Sequence, residues 1–239
     1  MLQVQRAEQR YRGGDPAAGI DTRHAFSFAG FYDPDNIRLG PLVACNEERL
    51  EPGSGFGEHP HRDLEIVTWV VEGELIHEDS AGRREILRAG DVQRLTAGSG
   101  VRHAERNASE REPLRFVQMW LEPARHGGAP EYEVVRGISD ATPYALPRTP
   151  AVLHVRRLTA GQRAGLPRAD WCYTHVVRGT VRLSVEQSGA GSSAELLTPG
   201  GAARITAPAG RAPTGAADVL ATAVDGPAEL LVWEMHTRP

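Results

Sequence analysis

Lysine is absent from this chain: all 27 of its basic residues are arginine. The arginines are scattered, with no basic cluster or basic amphipathic helix, so the bias reads as genome composition rather than anion recognition. Against 31 acidic residues they leave a formal net charge of −4, which gives no electrostatic footprint for nucleic acid. Cysteine is nearly as scarce. Cys45 and Cys172 stand in unrelated contexts, which argues against a disulfide framework and against a closed thiolate zinc site, and suits a reducing compartment. No apolar run approaches the length of a membrane span, and Met1 to Asp15 is too polar for the core of a signal peptide. A soluble cytoplasmic protein is expected, with no direct nucleic-acid or membrane contact. Several catalytic signatures are missing as well. There is no phosphate-binding loop, no Gly-x-Gly-x-x-Gly fingerprint and no complete nucleophile elbow, and His77-Glu78 lacks the second histidine of a zincin.

What is present is 239 residues of 40% hydrophobic composition, enough for one large or two modest domains. Short apolar runs such as Leu42 to Asn46, Leu64 to Val71, Val92 to Thr96 and Phe116 to Leu121 alternate with Gly-rich turns every ~8 to 12 residues. That rhythm predicts an all-β sandwich or barrel. Phe26, Phe28, Phe31 and Tyr32 form an aromatic patch, expected as core or barrel lid, and the adjoining His24 is ambiguous. Residues 124–150 are rich in Pro, Gly and charge and read as a connection between two halves.

One stretch, Gly53 to Asn107, carries the chemistry. His59 and His61 are two apart ahead of a predicted strand, and His103 and Glu105 repeat the spacing after Thr96-Ala97-Gly98-Ser99-Gly100. Side chains alternate faces along a strand, so each pair points one way. Two such strands side by side would bring three imidazoles and one carboxylate to a single point, a metal site with open positions. These donors suit Fe, Mn, Ni, Cu or Zn better than Ca or Mg, and do not choose among them.

The second half repeats the first. Thr68-Trp69-Val70-Val71-Glu72-Gly73 returns as Thr174-His175-Val176-Val177-Arg178-Gly179, and Gly90 with Arg94-Leu95-Thr96-Ala97 returns as Gly200 with Arg204-Ile205-Thr206-Ala207. Two matches in register indicate a duplicated barrel. The same offsets carry His59, His61, His103 and Glu105 onto Gly165, Pro167, Pro213 and Gly215, none of which offers a ligand. A pattern needed only for folding would survive in both copies, so its restriction to one favours chemistry. His154, His175 and His236 are read as structural or surface residues. The expected boundaries are 1–130 for a metal-binding barrel, 131–150 for a linker and 151–239 for a degenerate barrel.

Gly53, His59-x-His61, Glu65, Gly90, His103 and Asn107 resemble the two cupin motifs. More closely, His59-Pro60-His61-Arg62 with Glu65, Asp91-Val92-Gln93 and the run Thr96 to Glu105 resemble the pirin family, as do Phe26-Ser27-Phe28 and Phe31-Tyr32-Asp33-Pro34. The resemblance implies a bicupin, two double-stranded β-helix (jelly-roll-like) barrels, with one divalent metal held by His59, His61, His103 and Glu105 in the first. It favours iron(II), with Cu, Ni, Mn, Co or Zn also accommodated. General cupins place the carboxylate ligand at the position of Glu65, whereas pirin-like proteins use that of Glu105. Glu65 is then left beside the ligands or as a strand contact; from the residues themselves, Arg62 is expected to pair with Asp63 or Glu65 or to steer an anionic substrate, and His77 to be structural or to stand behind the ligands. The implied activity is that of a quercetin 2,3-dioxygenase, an oxidoreductase cleaving a flavonol with O2; Glu105 is the natural proton acceptor in such a site if its carboxylate loosens from the metal. The alternatives are a non-enzymatic metal-binding regulator acting through a protein partner, and a cupin enzyme with another substrate.

Overall fold

The structure, a computed structural model, is described for residues 1–186, 193–207 and 218–237. It divides into two units, Arg10–Ile138 and a second made of Met1–Gln9 with Ser139–Pro239. Strand β1 (Leu2–Gln5) therefore belongs to the second unit. The first unit holds β2 (Tyr11–Asp15), β3 (Ile20–His24), β4 (Leu42–Leu50), β5 (Gly55–His61), β6 (Glu65–Glu72) and β7 (Glu74–Asp79). It continues with β8 (Arg84–Arg88), β9 (Val92–Thr96), β10 (Val101–Asn107), β11 (Leu114–Leu121) and β12 (Glu131–Val135). The second holds β13 (Pro143–Ala145), β14 (Ala151–Leu158), β15 (Arg163–Gly165), β16 (Trp171–Arg178) and β17 (Val181–Glu186). Then come β18 (Ser193–Leu197), β19 (Ala202–Thr206), β20 (Asp218–Ala223) and β21 (Ala228–Met235). No helix among the described residues is long and apolar enough to cross a membrane.

The duplication is visible in the strand orders. The first unit has sheets β12-β9-β6-β11-β4-β3-β2 and β5-β10-β7-β8, and the second has β1-β19-β16-β21-β14-β13 and β15-β20-β17-β18. Replacing β9-β6-β11-β4 by β19-β16-β21-β14, and β5-β10-β7-β8 by β15-β20-β17-β18, turns one unit into the other. Each pair of sheets closes on its own apolar core. Leu75 and Leu87 of one sheet meet Leu50, Val70, Leu114 and Phe116 of the other in the first unit, and Val181 and Leu183 meet Val176, Leu230 and Val232 in the second. The repeated glycine has a mechanical cause. Gly73 (φ 82°) and Gly179 (φ 75°) occupy left-handed backbone, and a Cβ there would lie 2.8 Å from Pro113 O and 2.3 Å from Pro227 O respectively.

The observed boundaries differ from those read off the sequence. Residues 131–150 are not a bare connection: β12 pairs with β9, and β13 with β14. Pro and Gly mark the stretch as irregular, but Glu131 to Val135 offers a free backbone edge that the sheet takes up. The position beside β19 that β12 fills beside β9 is occupied by β1.

Candidate metal centre

Strand β5 lies antiparallel to β10 with His59 directly opposite His103 and His61 opposite Val101. The three imidazoles converge. Ring centroids are 4.8 Å apart for His59 and His61, 4.5 Å for His59 and His103, and 4.9 Å for His61 and His103. One nitrogen from each lies within 4.8 Å of the others. Between His103 and Glu105 the register slips, so Glu105 faces Phe56. Gly57 and Glu58 of β5 thus stand against Ala104 alone on β10, which is a β-bulge. Gly55 permits the close approach beyond it, since a Cβ would lie 2.5 Å from Glu105 O and 2.6 Å from Arg106 Cα.

Glu105 joins His103 and His77 in a second group whose ligand atoms also lie within 4.8 Å of one another. The four expected ligands thus fall within two overlapping groups that share His103. His77 belongs beside Glu105 because β7 pairs with β10 in that register.

Nε2 of His61 and Nε2 of His103 are buried and have no hydrogen-bond partner. The opposite nitrogens of the other contacts are engaged: Nδ1 of His59 bonds to Gly57 O at 2.7 Å, and Nδ1 of His103 lies 3.4 Å from Nδ1 of His77. Burial pushes His61 and His103 down to about 4, with neighbouring imidazoles adding to the effect, so both are neutral near pH 7. Neutral, buried imidazoles with orphaned nitrogens facing one another fit a transition metal, because such atoms are otherwise satisfied. Burial alone would raise the Glu105 carboxyl, but His103, His77, a bond from Gln118 and His59 outweigh it and hold the group below the usual carboxylate range. Gln118 Nε2 donates to Oε2 at 2.6 Å and Gln93 Nε2 to Oε1 at 3.3 Å.

These amides belong to a polar row crossing the larger sheet. Gln93, Thr68, Gln118, Asn46 and His24 are successive partners on β9, β6, β11, β4 and β3. In the second unit Ala203, Thr174, Val232 and His154 take the first four places. That row has lost both amides that serve the carboxylate. Gln93 and Gln118 were not singled out from the sequence, although a glutamine inside an apolar strand run is a readable signal of a buried polar function. Tyr132, whose hydroxyl donates to Gln93 Oε1 at 2.9 Å, gave no such signal.

The remaining sequence candidates separate. Glu65 is fully buried but accepts from Thr96 Oγ1 at 3.1 Å and lies 3.9 Å from Arg94 Nη1. Its neighbours Ile66 and Thr68 alternate to the opposite face from Glu65, and Thr68 is the one beside Gln93, so Glu65 stands on the other face from the amides that bond Glu105. Between His61 and Glu65 the chain leaves the strand, with Asp63 in left-handed backbone at φ 53°, so the parity that linked the two does not hold. Arg62 is largely exposed and pairs with Asp63 at 3.2 Å. It shares with Pro60, His61, Ser80, Gly100, Val101 and Arg102 the wall of a cavity of about 420 Å³. The aromatic patch reaches the site through contacts of 4.9 Å each: His24 stacks on Phe28, Phe28 meets Trp120 edge-on, and Trp120 meets His61. In the second unit His154 and His236 bond to Glu234 at 2.8 and 3.0 Å, and His175 is buried. Gly165 ends β15, while Pro213 and Gly215 lie outside the described residues. Among the described residues, both potential ligand groups lie in the first unit.

The chain is similar throughout to known proteins. A sequence model described as Pirin matches residues 4–121. A Mycobacterium tuberculosis protein named putative quercetin 2,3-dioxygenase is 38% identical over 236 residues, covering 92% of this chain and 89% of that protein. An Escherichia coli protein named quercetin 2,3-dioxygenase is 41% identical over 133 residues, 56% of this chain and 57% of its own length. Among solved structures, the bacterial pirin YhhW of Escherichia coli in complex with nickel(II) superposes with a TM-score of 0.82 at 27% identity, covering 98% of this chain and 99% of that one.

Proposed function

Because this chain belongs to the pirin family, we propose that it is a metal-dependent dioxygenase that opens the heterocyclic ring of a flavonol such as quercetin with O2. One observation carries the reading: three facing imidazoles, two of them with a buried Nε2 that has no partner. His59, His61 and His103 would hold the cation, with Glu105 as the carboxylate donor beside His103. The donors favour no single metal, and iron(II), Cu, Ni, Mn, Co and Zn all suit them. Bound there, the metal supplies Lewis acidity that acidifies a docked hydroxyl.

The chain's own residues supply the proton handling. Glu105 is ionised and takes the proton of the flavonol 3-hydroxyl at Oε1, the oxygen with the longer amide bond, while Gln118 keeps hold of Oε2. Trp120 lies edge-on to His61 and restricts its ring. The electron-rich flavonolate then reacts with O2, and ring cleavage releases carbon monoxide.

Aerobic incubation of the metal-reconstituted protein with quercetin tests this directly. The visible absorption of quercetin is expected to fall as carbon monoxide appears, and His61→Ala or Glu105→Ala to abolish both. If several reconstituted metals all leave quercetin intact, the enzymatic reading fails and a metal-binding regulatory role takes its place.

A further inference from the structure

We propose that Tyr132 is a positioning residue that sets two donors of the metal centre at once. It comes from β12, a strand outside the barrel motifs. Its hydroxyl donates to Gln93 Oε1 at 2.9 Å and so anchors the amide whose Nε2, 3.3 Å from Glu105 Oε1, faces that acceptor-only carboxylate. Without that hydroxyl Gln93 Oε1 loses its 2.9 Å anchor and the amide is held less firmly against the carboxylate. The same residue acts through its ring. The ring stacks on His77 with centroids 4.7 Å apart and planes 27° from parallel, and Arg83 caps it at 5.7 Å.

His77 in turn decides what His103 can do. The two Nδ1 atoms are 3.4 Å apart, so one ring donates to the other. If His77 donated, the proton of His103 would sit on Nε2 and block it as a ligand. Asp79 Oδ2 lies 3.6 Å from His77 Nε2 and favours the proton there. His103 Nδ1–H then donates to His77 Nδ1, and His103 Nε2 faces the site with a free lone pair. Tyr132 keeps the His77 ring in the plane that makes this bond, so one side chain orients Glu105 through its hydroxyl and His103 through its ring.

This proposal rests on the metal reading, and cobalt(II) alone serves as probe for both. Titration of the full chain with cobalt(II), followed by its visible absorption bands, measures affinity and ligand geometry without any turnover. Tyr132→Phe keeps the stack and loses the hydroxyl; it is expected to weaken binding ~10-fold or more and to shift the bands, as loss of an outer hydrogen-bond partner does elsewhere. Tyr132→Leu loses both contacts and is expected to bind more weakly still. Tyr11→Phe, which loses a hydroxyl bonded to Asp33 at 3.2 Å, is expected to bind like the original protein. Wild-type affinity and bands in a folded Tyr132→Phe protein would overturn the proposal while leaving the metal reading intact. Failure of the unaltered protein to bind cobalt(II) would overturn both. Should Tyr132→Phe not fold, Gln93→Met reads the hydroxyl arm, and unchanged bands there count equally against it.

Discussion

Glu48 is buried in the first unit, where its Oε2 accepts from Thr22 Oγ1 at 2.5 Å and burial lifts the carboxyl to about 8. In the unfolded chain the same group ionises near 4.5, so between about 4.5 and 8 unfolding releases a proton and stability falls as pH rises. Glu48→Gln removes that penalty. Its melting temperature is expected to exceed that of the parent at pH 8 and to lose the advantage near pH 4; an equal gain at both would contradict the burial argument. His61 and His103 act with the opposite sign. Each stays neutral in the native state down to about 4 while the unfolded chain takes up a proton near 6.5, so the metal-free protein should lose stability as pH falls across that window. Melting curves of chelator-treated protein check this, and His61→Asn should flatten that limb.

At the level of single strands, the pairing of β5 with β10 decides the site. Gly55 and Gly57 are two residues apart on β5, yet a Cβ at Gly55 would press into the backbone of β10 and one at Gly57 would meet nothing within 4 Å. Gly55→Val is expected to cost ~1–3 kcal/mol by forcing the strands apart, and to weaken cobalt(II) binding with it. Gly57→Ala should change neither by much. Urea unfolding and metal titration of the two variants measure the contrast. The sequence showed both glycines, but only the pairing distinguishes them, because the distinction lies in what stands on the neighbouring strand. The same holds for Glu65 and Glu105. Both carboxylates were eligible from spacing, and the sheet turns one toward Arg94 and Thr96 and the other toward His103.

For the whole molecule, the two units share a strand order and differ in chemistry. Among the described residues both ligand groups lie within Arg10–Ile138, so elemental analysis is expected to find one metal per chain. The triple substitution of His59, His61 and His103 by Ala should remove all of it. A full equivalent surviving that change would place a site elsewhere.

The sequence by itself determined the all-β class, the duplication and the pairing of His59 with His61 and of His103 with Glu105. Those follow from turn residues, from repeated blocks in register and from the two-residue period of a strand, all local properties of the chain. Tertiary structure alone decided the rest. A bulge between β5 and β10 set Glu105 opposite Phe56, while β7 and β12 delivered His77 and Tyr132 and the larger sheet lined up Gln93 with Gln118. Register, bulges and edge pairing depend on atoms far away in the chain, and spacing within one strand carries no record of which neighbour it will meet.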